Sequence, residues 1–162
     1  MSQIVCNSGP LIALGLLGKM DILKSLFDGV FVPDAVQREI AQGGLKFLGW
    51  EDFQRAKWIR VVAPKQNDEL LMALLDGGEA AVLNLAREQN IKLVLIDERK
   101  ARKVARDIYG LQPIGTARIL VEAKKKFCWR KLLLRSKGFG RKVIGFIKIL
   151  FTRLCARPEK FN

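Results

Sequence analysis

Five short apolar runs recur over the first 126 residues, each separated from the next by a stretch of helical pattern. They are Gln3–Cys6, Val30–Val32, Trp58–Val62, which alternates, Ile91–Ile96 and Gln112–Ile114. Strands that alternate with helices pair in parallel through crossovers, in a sheet covered on both faces. The expected fold is therefore α/β: a three-layer α/β/α sandwich with a mostly parallel central sheet over residues 1–126. The 162 residues suffice for one such domain with a sizeable core.

Gly, Pro, Asn and Asp mark the joints. Asn7 to Pro10 turn the chain into a helix, with Asn7 or Ser8 as N-cap. Leu11–Leu17 is apolar nearly all round and reads as a buried helix, stopped by Gly18. Met20–Phe27 is a second helix, and Pro33 leads into a third, Asp34–Ala41, broken by Gly43 and Gly44. Glu51–Lys57 and Asp68–Leu75 read as helices. Asp76, Gly77 and Gly78 then punctuate before the Glu79–Gln89 helix. Glu98–Tyr109 is a basic helix closed by Gly110, and Thr116–Lys126 is a further helix.

Ligands bind outside the carboxyl ends of the strands in open parallel sheets. Asp97 follows the Ile91–Ile96 strand directly, and Glu79 stands near the start of a helix. An acid after a strand is either a ligand-binding group or the N-cap of the next helix, and the sequence leaves both open. Glu39 lies one turn from a helix end, where the macrodipole disfavours an acid. That placement points to a role other than helix stability.

The chain contains no histidine, which excludes Ser-His-Asp triads, Cys-His pairs and His-ligated zinc within one chain. Its three cysteines, Cys6, Cys128 and Cys155, lack C-x-x-C spacing. They argue against a disulfide framework or a zinc cluster and fit a reducing cytosol. A hydrolase with this composition works through carboxylates, most simply by holding Mg²⁺ or Mn²⁺.

The formal net charge is +13 but it is unevenly placed. Residues 1–123 hold 16 basic and 15 acidic side chains, whereas 124–162 hold 13 basic ones and a single acid, Glu159. The basicity belongs to the tail, which suits nucleic acid, anionic lipid or an acidic partner. Val143–Leu154 mixes apolar residues with Lys148 and Arg153. It suits RNA, a membrane surface, or packing on the domain or a second copy. No basic leader precedes the first strand, and no apolar run reaches the ~18 residues of a membrane span. A cytoplasmic protein without an integral membrane segment is expected.

The runs IVCNSGPLIAL, VFVPDAVQREI, GGEAAVLNLA, LVLIDERKARKVA and GLQPIGTARILVEAK follow one another in this order. Together they resemble the PIN-domain family, and more closely its VapC-like toxin nuclease branch. The branch pattern is NSSPLI, VPxxVxxEI, GEAxAI, LLIDExxxR and GTxGxLxxAK. The resemblance covers about 1–126. It implies a metal-dependent endoribonuclease acting on RNA with Mg²⁺ or Mn²⁺, the toxin of a toxin–antitoxin pair. A homodimer and a cognate antitoxin protein are the implied partners. Its catalytic acids map onto Glu39, Glu79 and Asp97, which with Asn7 would ligate the metal. Ser8 and Thr116 map onto supporting positions. Read from the residues themselves, Glu98 beside Asp97 either supports the site or serves as first-turn helix chemistry, and Arg99 and Arg102 of the basic helix are candidates for RNA phosphate contacts.

Asn7 stands where most PIN domains carry Asp. It keeps a carbonyl ligand and loses a negative charge, which weakens metal affinity. The alternative reading is therefore a catalytically weak or inactive PIN fold acting as an RNA- or protein-binding module. From about Phe127 the chain leaves the family pattern. Residues 127–162 are expected to form a basic C-terminal extension, helical or partly disordered.

Overall fold

The computed structural model describes residues 2–42 and 50–126. The elements run β1 (Gln3–Cys6), α1 (Ser8–Leu16), α2 (Asp21–Leu26), β2 (Gly29–Pro33), α3 (Asp34–Gln42), α4 (Trp50–Arg55) and β3 (Ile59–Val62). They continue with α5 (Glu69–Leu74), α6 (Gly77–Glu88), β4 (Leu93–Leu95), α7 (Arg99–Asp107), β5 (Gln112–Ile114) and α8 (Thr116–Lys126). The proposed break at Gly43 and Gly44 and the extension 127–162 lie outside the described residues. A division of the chain falls between Ala123 and Lys124.

The five strands form one sheet in the order β3-β2-β1-β4-β5, and all four pairings are parallel. This is the expected α/β architecture. The chain lays down β1, winds outward through β2 and β3, then returns to build β4 and β5 on the other side of β1. The winding direction thus reverses between β1 and β4, and their carboxyl ends flank the switch point where open sheets bind ligands. Register places Cys6 opposite Leu95, so Asn7 and Asp97 both emerge close to that point.

The core is built on the two central strands and on α6. Ile4, Val5, Cys6, Val94 and Leu95 are fully buried, as are Val82, Leu83, Leu85 and Ala86. Every residue of α6 from Gly78 to Ala86 is buried, because this helix packs on β1, β2 and β4 while α3 and α5 also lie against it. The Cys6 thiol lies in that interior, and burial alone pushes its pKa far above the ordinary range. It is an inert core residue.

Two expectations need correction. The α1 helix is not buried all round: Leu11 and Leu14 are covered, whereas Ile12, Ala13 and Leu16 are only half-buried. Its contacts to α3 and α4 cover one side and leave the rest partly open. Nor does β3 alternate in burial, since Arg60 and Val61 in its middle are both exposed. It is an edge strand with a single neighbour, β2. The opposite edge, β5, carries Pro113, which a central strand would not tolerate.

Helix ends follow local chemistry. Gly18 and Gly110 adopt φ of +59° and +60° after α1 and α7, the left-handed geometry that glycine reaches without a Cβ penalty. Among the described residues no helix is long and apolar enough to cross a membrane.

Candidate active site

Asn7 ends β1 and starts α1. Its backbone N–H donates to the Leu95 carbonyl at 3.0 Å, tying the two central strands together beyond the ladder. Its side-chain Oδ1 accepts from the Ser8 N–H at 2.8 Å and caps α1. The side chain is buried, and that carbonyl oxygen has a second lone pair. Ser8 contributes its backbone to this cap; no described hydrogen bond takes its hydroxyl to a carboxylate.

Glu79 sits in the first turn of α6. Asp76 is the N-cap, and its Oδ1 accepts from the Glu79 N–H at 2.8 Å. The Glu79 carboxylate in turn feels the Asp76 backbone N–H, the reciprocal arrangement of a capping box. Only 6% of Glu79 is exposed. Burial is the largest cause that raises its pKa from 4.5 to about 7, followed by the charge of Asp76 and, more weakly, of Glu98. The Asp76 N–H and the Lys100 ammonium pull the other way without compensating. A buried carboxylate surrounded by acids is a place where a cation would be stabilised.

Glu39 approaches the same helix turn from α3. Its carboxylate lies against the Cα of Gly78, and a Cβ there would come within 2.7 Å of Glu39 Cδ. A Cβ at Gly78 would push this flexible carboxylate end aside, so glycine is what lets it lie here. Glu39 also lines a cleft of about 580 Å³ with Asp34, Arg38, Met72 and Gly77.

Asp97 is exposed at the end of β4, and both of its oxygens are engaged. Oδ1 accepts from the Thr116 N–H at 2.8 Å and Oδ2 from the Thr116 hydroxyl at 2.6 Å. The acid therefore anchors the start of α8, and Thr116 fixes its orientation. Glu98 holds the N-cap position of α7 yet makes no capping hydrogen bond. Its charge instead reaches Glu79. Of the two readings that the sequence leaves open for Glu98, the geometry shows no side-chain cap on α7 and a charge that acts on Glu79. Arg99 is exposed beyond it. Arg102 is half-buried beside Gly115, where a Cβ would lie 3.6 Å from Arg102 Nη1 and 3.0 Å from Asp97 Oδ1.

The expected residues thus occupy neighbouring element ends. Asn7 and Asp97 flank the switch point, Glu79 and Glu98 interact electrostatically, and Glu39 reaches the residue preceding Glu79. They do not close into a preformed cage: among the described residues, no three Asp, Glu, His or Cys side chains could hold a metal ion together. The donor set still fits a hard cation. Mg²⁺ commonly binds through one or two carboxylates and completes its shell with waters and substrate phosphate. One acid was missed, Asp76, which acts on Glu79 more strongly than Glu98 does. The D-x-x-E spacing of a capping box was its sequence signal.

The fold and these placements define a parallel α/β protein with acids gathered at the switch point of its sheet. The PIN domain model of the family DUF3368 matches residues 3–132, and the chain belongs to this PIN-domain family. Among solved structures, the PIN domain endonuclease Utp24 is similar with a TM-score of 0.52 and 12% identity, over 70% of this chain and 84% of that one. At that identity the likeness is one of fold. No curated protein sequence matches.

Proposed function

We propose that the chain is a metal-dependent endoribonuclease that hydrolyses RNA phosphodiesters, acting in the cytoplasm as the toxin of a toxin–antitoxin pair. The observation that carries this reading is Glu79: a carboxylate almost wholly buried at the active edge of a PIN fold, with its pKa raised to about 7 beside Asp76 and Glu98. Mg²⁺ or Mn²⁺ held through one or two of the carboxylates of Glu39, Glu79 and Asp97, with the Asn7 carbonyl, waters and substrate phosphate completing its shell, would supply Lewis-acid charge at the scissile phosphate. Thr116 holds Asp97 in place for that task. Gly78 gives the Glu39 carboxylate access to the same helix turn. Exposed Leu70, Met72 and Ile108 offer apolar surface to an antitoxin or to a second subunit of a homodimer.

The test is cleavage of a panel of structured RNAs with Mn²⁺, Mg²⁺ or EDTA, with Asp97→Asn alongside. Metal-dependent cutting that disappears in the variant supports the reading; well-folded protein that fails to cut with either metal overturns it.

A second reading is favoured by Asn7. An amide replaces the usual acid there, and its oxygen already accepts from Ser8. In that case the protein is an RNA- or protein-binding module. An inert wild type that gains metal-dependent cleavage through Asn7→Asp would establish it.

A further inference from the structure

The basic character of α7 is not explained by helix stability. Five cations, Arg99, Lys100, Arg102, Lys103 and Arg106, fall within its nine residues. Its first turn holds Arg99, Lys100 and Arg102 and no acid. The positive end of a helix dipole repels cations and favours carboxylates, so these residues stand at the unfavourable end. Nor are they locked in close pairs: Arg99, Lys100, Arg102 and Lys103 form no ion pair within 4.0 Å among the described residues. Arg106 alone has one, with Asp107 at 3.2 Å.

Their spacing is ordered. Arg99, Arg102, Lys103 and Arg106 are related by i, i+3, i+4 and i+7 and therefore share one helix face. Ala101, Val104 and Ala105 occupy the other face and are buried. The basic face is open to water, with Arg99, Lys103 and Arg106 exposed and Arg102 half-buried. The row begins next to the acidic site. Arg102 Nη1 and Asp97 Oδ1 converge on the space that a Cβ of Gly115 would fill. Lys100 lies close enough to Glu79 for its charge to act on that carboxylate.

We infer that this face of α7 is a phosphate rail that binds the backbone of single-stranded RNA and leads it to the acidic edge of the sheet. The inference deepens the nuclease reading by assigning where the polyanion lies. An acidic site on a nearly neutral body repels a phosphate chain, and the local cations of α7 offset that repulsion. Arg102, beside Asp97, would hold the phosphate nearest the site, with Lys103, Arg99 and Arg106 on its neighbours. Such contacts are blind to sequence and sensitive to salt.

The test uses the full chain in EDTA, so that binding is read without cleavage. Anisotropy of a fluorescein-labelled single-stranded RNA is followed from about 50 to about 200 mM KCl, the range over which phosphate contacts are lost. The variants are Arg99→Gln/Arg102→Gln/Lys103→Gln and, with charge kept, Arg99→Lys/Arg102→Lys. Each neutralised contact should lower the slope of log affinity against log salt by about 0.7, so the triple variant should lose about 2. The Lys variant should keep most of the slope. The basic residues 127–162 are common to all proteins and cancel in the comparison. If the triple variant fails to fold, Arg99→Gln and Lys103→Gln, both at exposed positions, carry the test singly. A triple variant with the slope and affinity of the wild type overturns the rail. A reduced slope in a protein that never cleaves RNA leaves the rail standing and removes the nuclease reading. An unchanged slope in an active nuclease does the reverse.

Discussion

At one end of α6 an aspartate is saturated with donors; at the other a glutamate is crowded by acids. Asp68 accepts from Arg87 Nη1 at 2.6 Å, from the Tyr109 hydroxyl at 2.9 Å and from the Leu70 N–H at 3.0 Å. The Arg87 guanidinium also lies over the Tyr109 ring, 4.6 Å from its centroid. The Tyr109 hydrogen bond is the main cause holding the Asp68 pKa below its ordinary value, with Arg87 and the backbone N–H groups adding to it. Glu79 is displaced in the opposite direction by burial, Asp76 and Glu98. The Asp68 cluster closes the β3–α5 loop onto the helix and leaves its charge spoken for. The Glu79 cluster leaves a charge demand that an outside cation would meet. The two acids are told apart by depth and by partners together: Glu79 is buried among acids, whereas Asp68 lies nearer the surface among donors.

The most forceful way to break this contrast is Glu79→Gln. Cleavage should fall by at least the roughly 10–100-fold that partners of metal ligands cost, while thermal unfolding shows a fold at least as stable. Retained cleavage would return Glu79 to the structural class. Next comes Thr116→Val, which removes the hydroxyl from Asp97 Oδ2 and leaves the backbone N–H on Oδ1. Metal affinity, read by Mn²⁺ titration, should drop by roughly tenfold as the orientation loosens. Equal affinity in the variant would show that the hydroxyl only caps α8.

A pH series sharpens the contrast through stability. Between 4.5 and about 7 the folded protein keeps a proton on Glu79 that the unfolded chain has released. Stability from this group is therefore present at low pH and falls as pH rises through that window, by up to ~3 kcal/mol. Urea unfolding with and without Glu79→Gln isolates it, and Mn²⁺ should restore the loss above pH 7. Asp68 has the opposite sign: its contribution is complete at neutral pH and is lost in acid. The smallest expected effect on function is that of Asp68→Asn. It should lower the melting temperature and leave metal affinity unchanged. A variant that melts normally but loses metal would invert the comparison.

Much of this was legible in the residues. The five strands lie where the apolar runs put them, because Gly, Pro and Asp bound nearly every element. Asp76, for example, caps α6, and Gly110 follows α7. The acids at Glu39, Glu79 and Asp97 were also marked in advance by their element ends. What stayed hidden depends on direction in space. Nothing in the run IDER tells that Asp97 turns to Thr116 while Glu98 influences Glu79. Nor does the pair Gly77-Gly78 tell that only the second meets Glu39. Strand order, too, was invisible, so the exposure of Arg60 and Val61 on the β3 edge could not be read from apolar pattern.

That glycine pair bears on any attempt to make the protein more heat-resistant. Replacing helix glycines by alanine narrows the unfolded ensemble and commonly gains about 0.4–1 kcal/mol where the backbone permits it. A Cβ on Gly77 would meet nothing within 4 Å, so Gly77→Ala is an open route to that gain. One residue further the same exchange would evict the Glu39 carboxylate from α6. Thermostability and the placement of the Glu39 carboxylate are separable at the first glycine and in direct competition at the second.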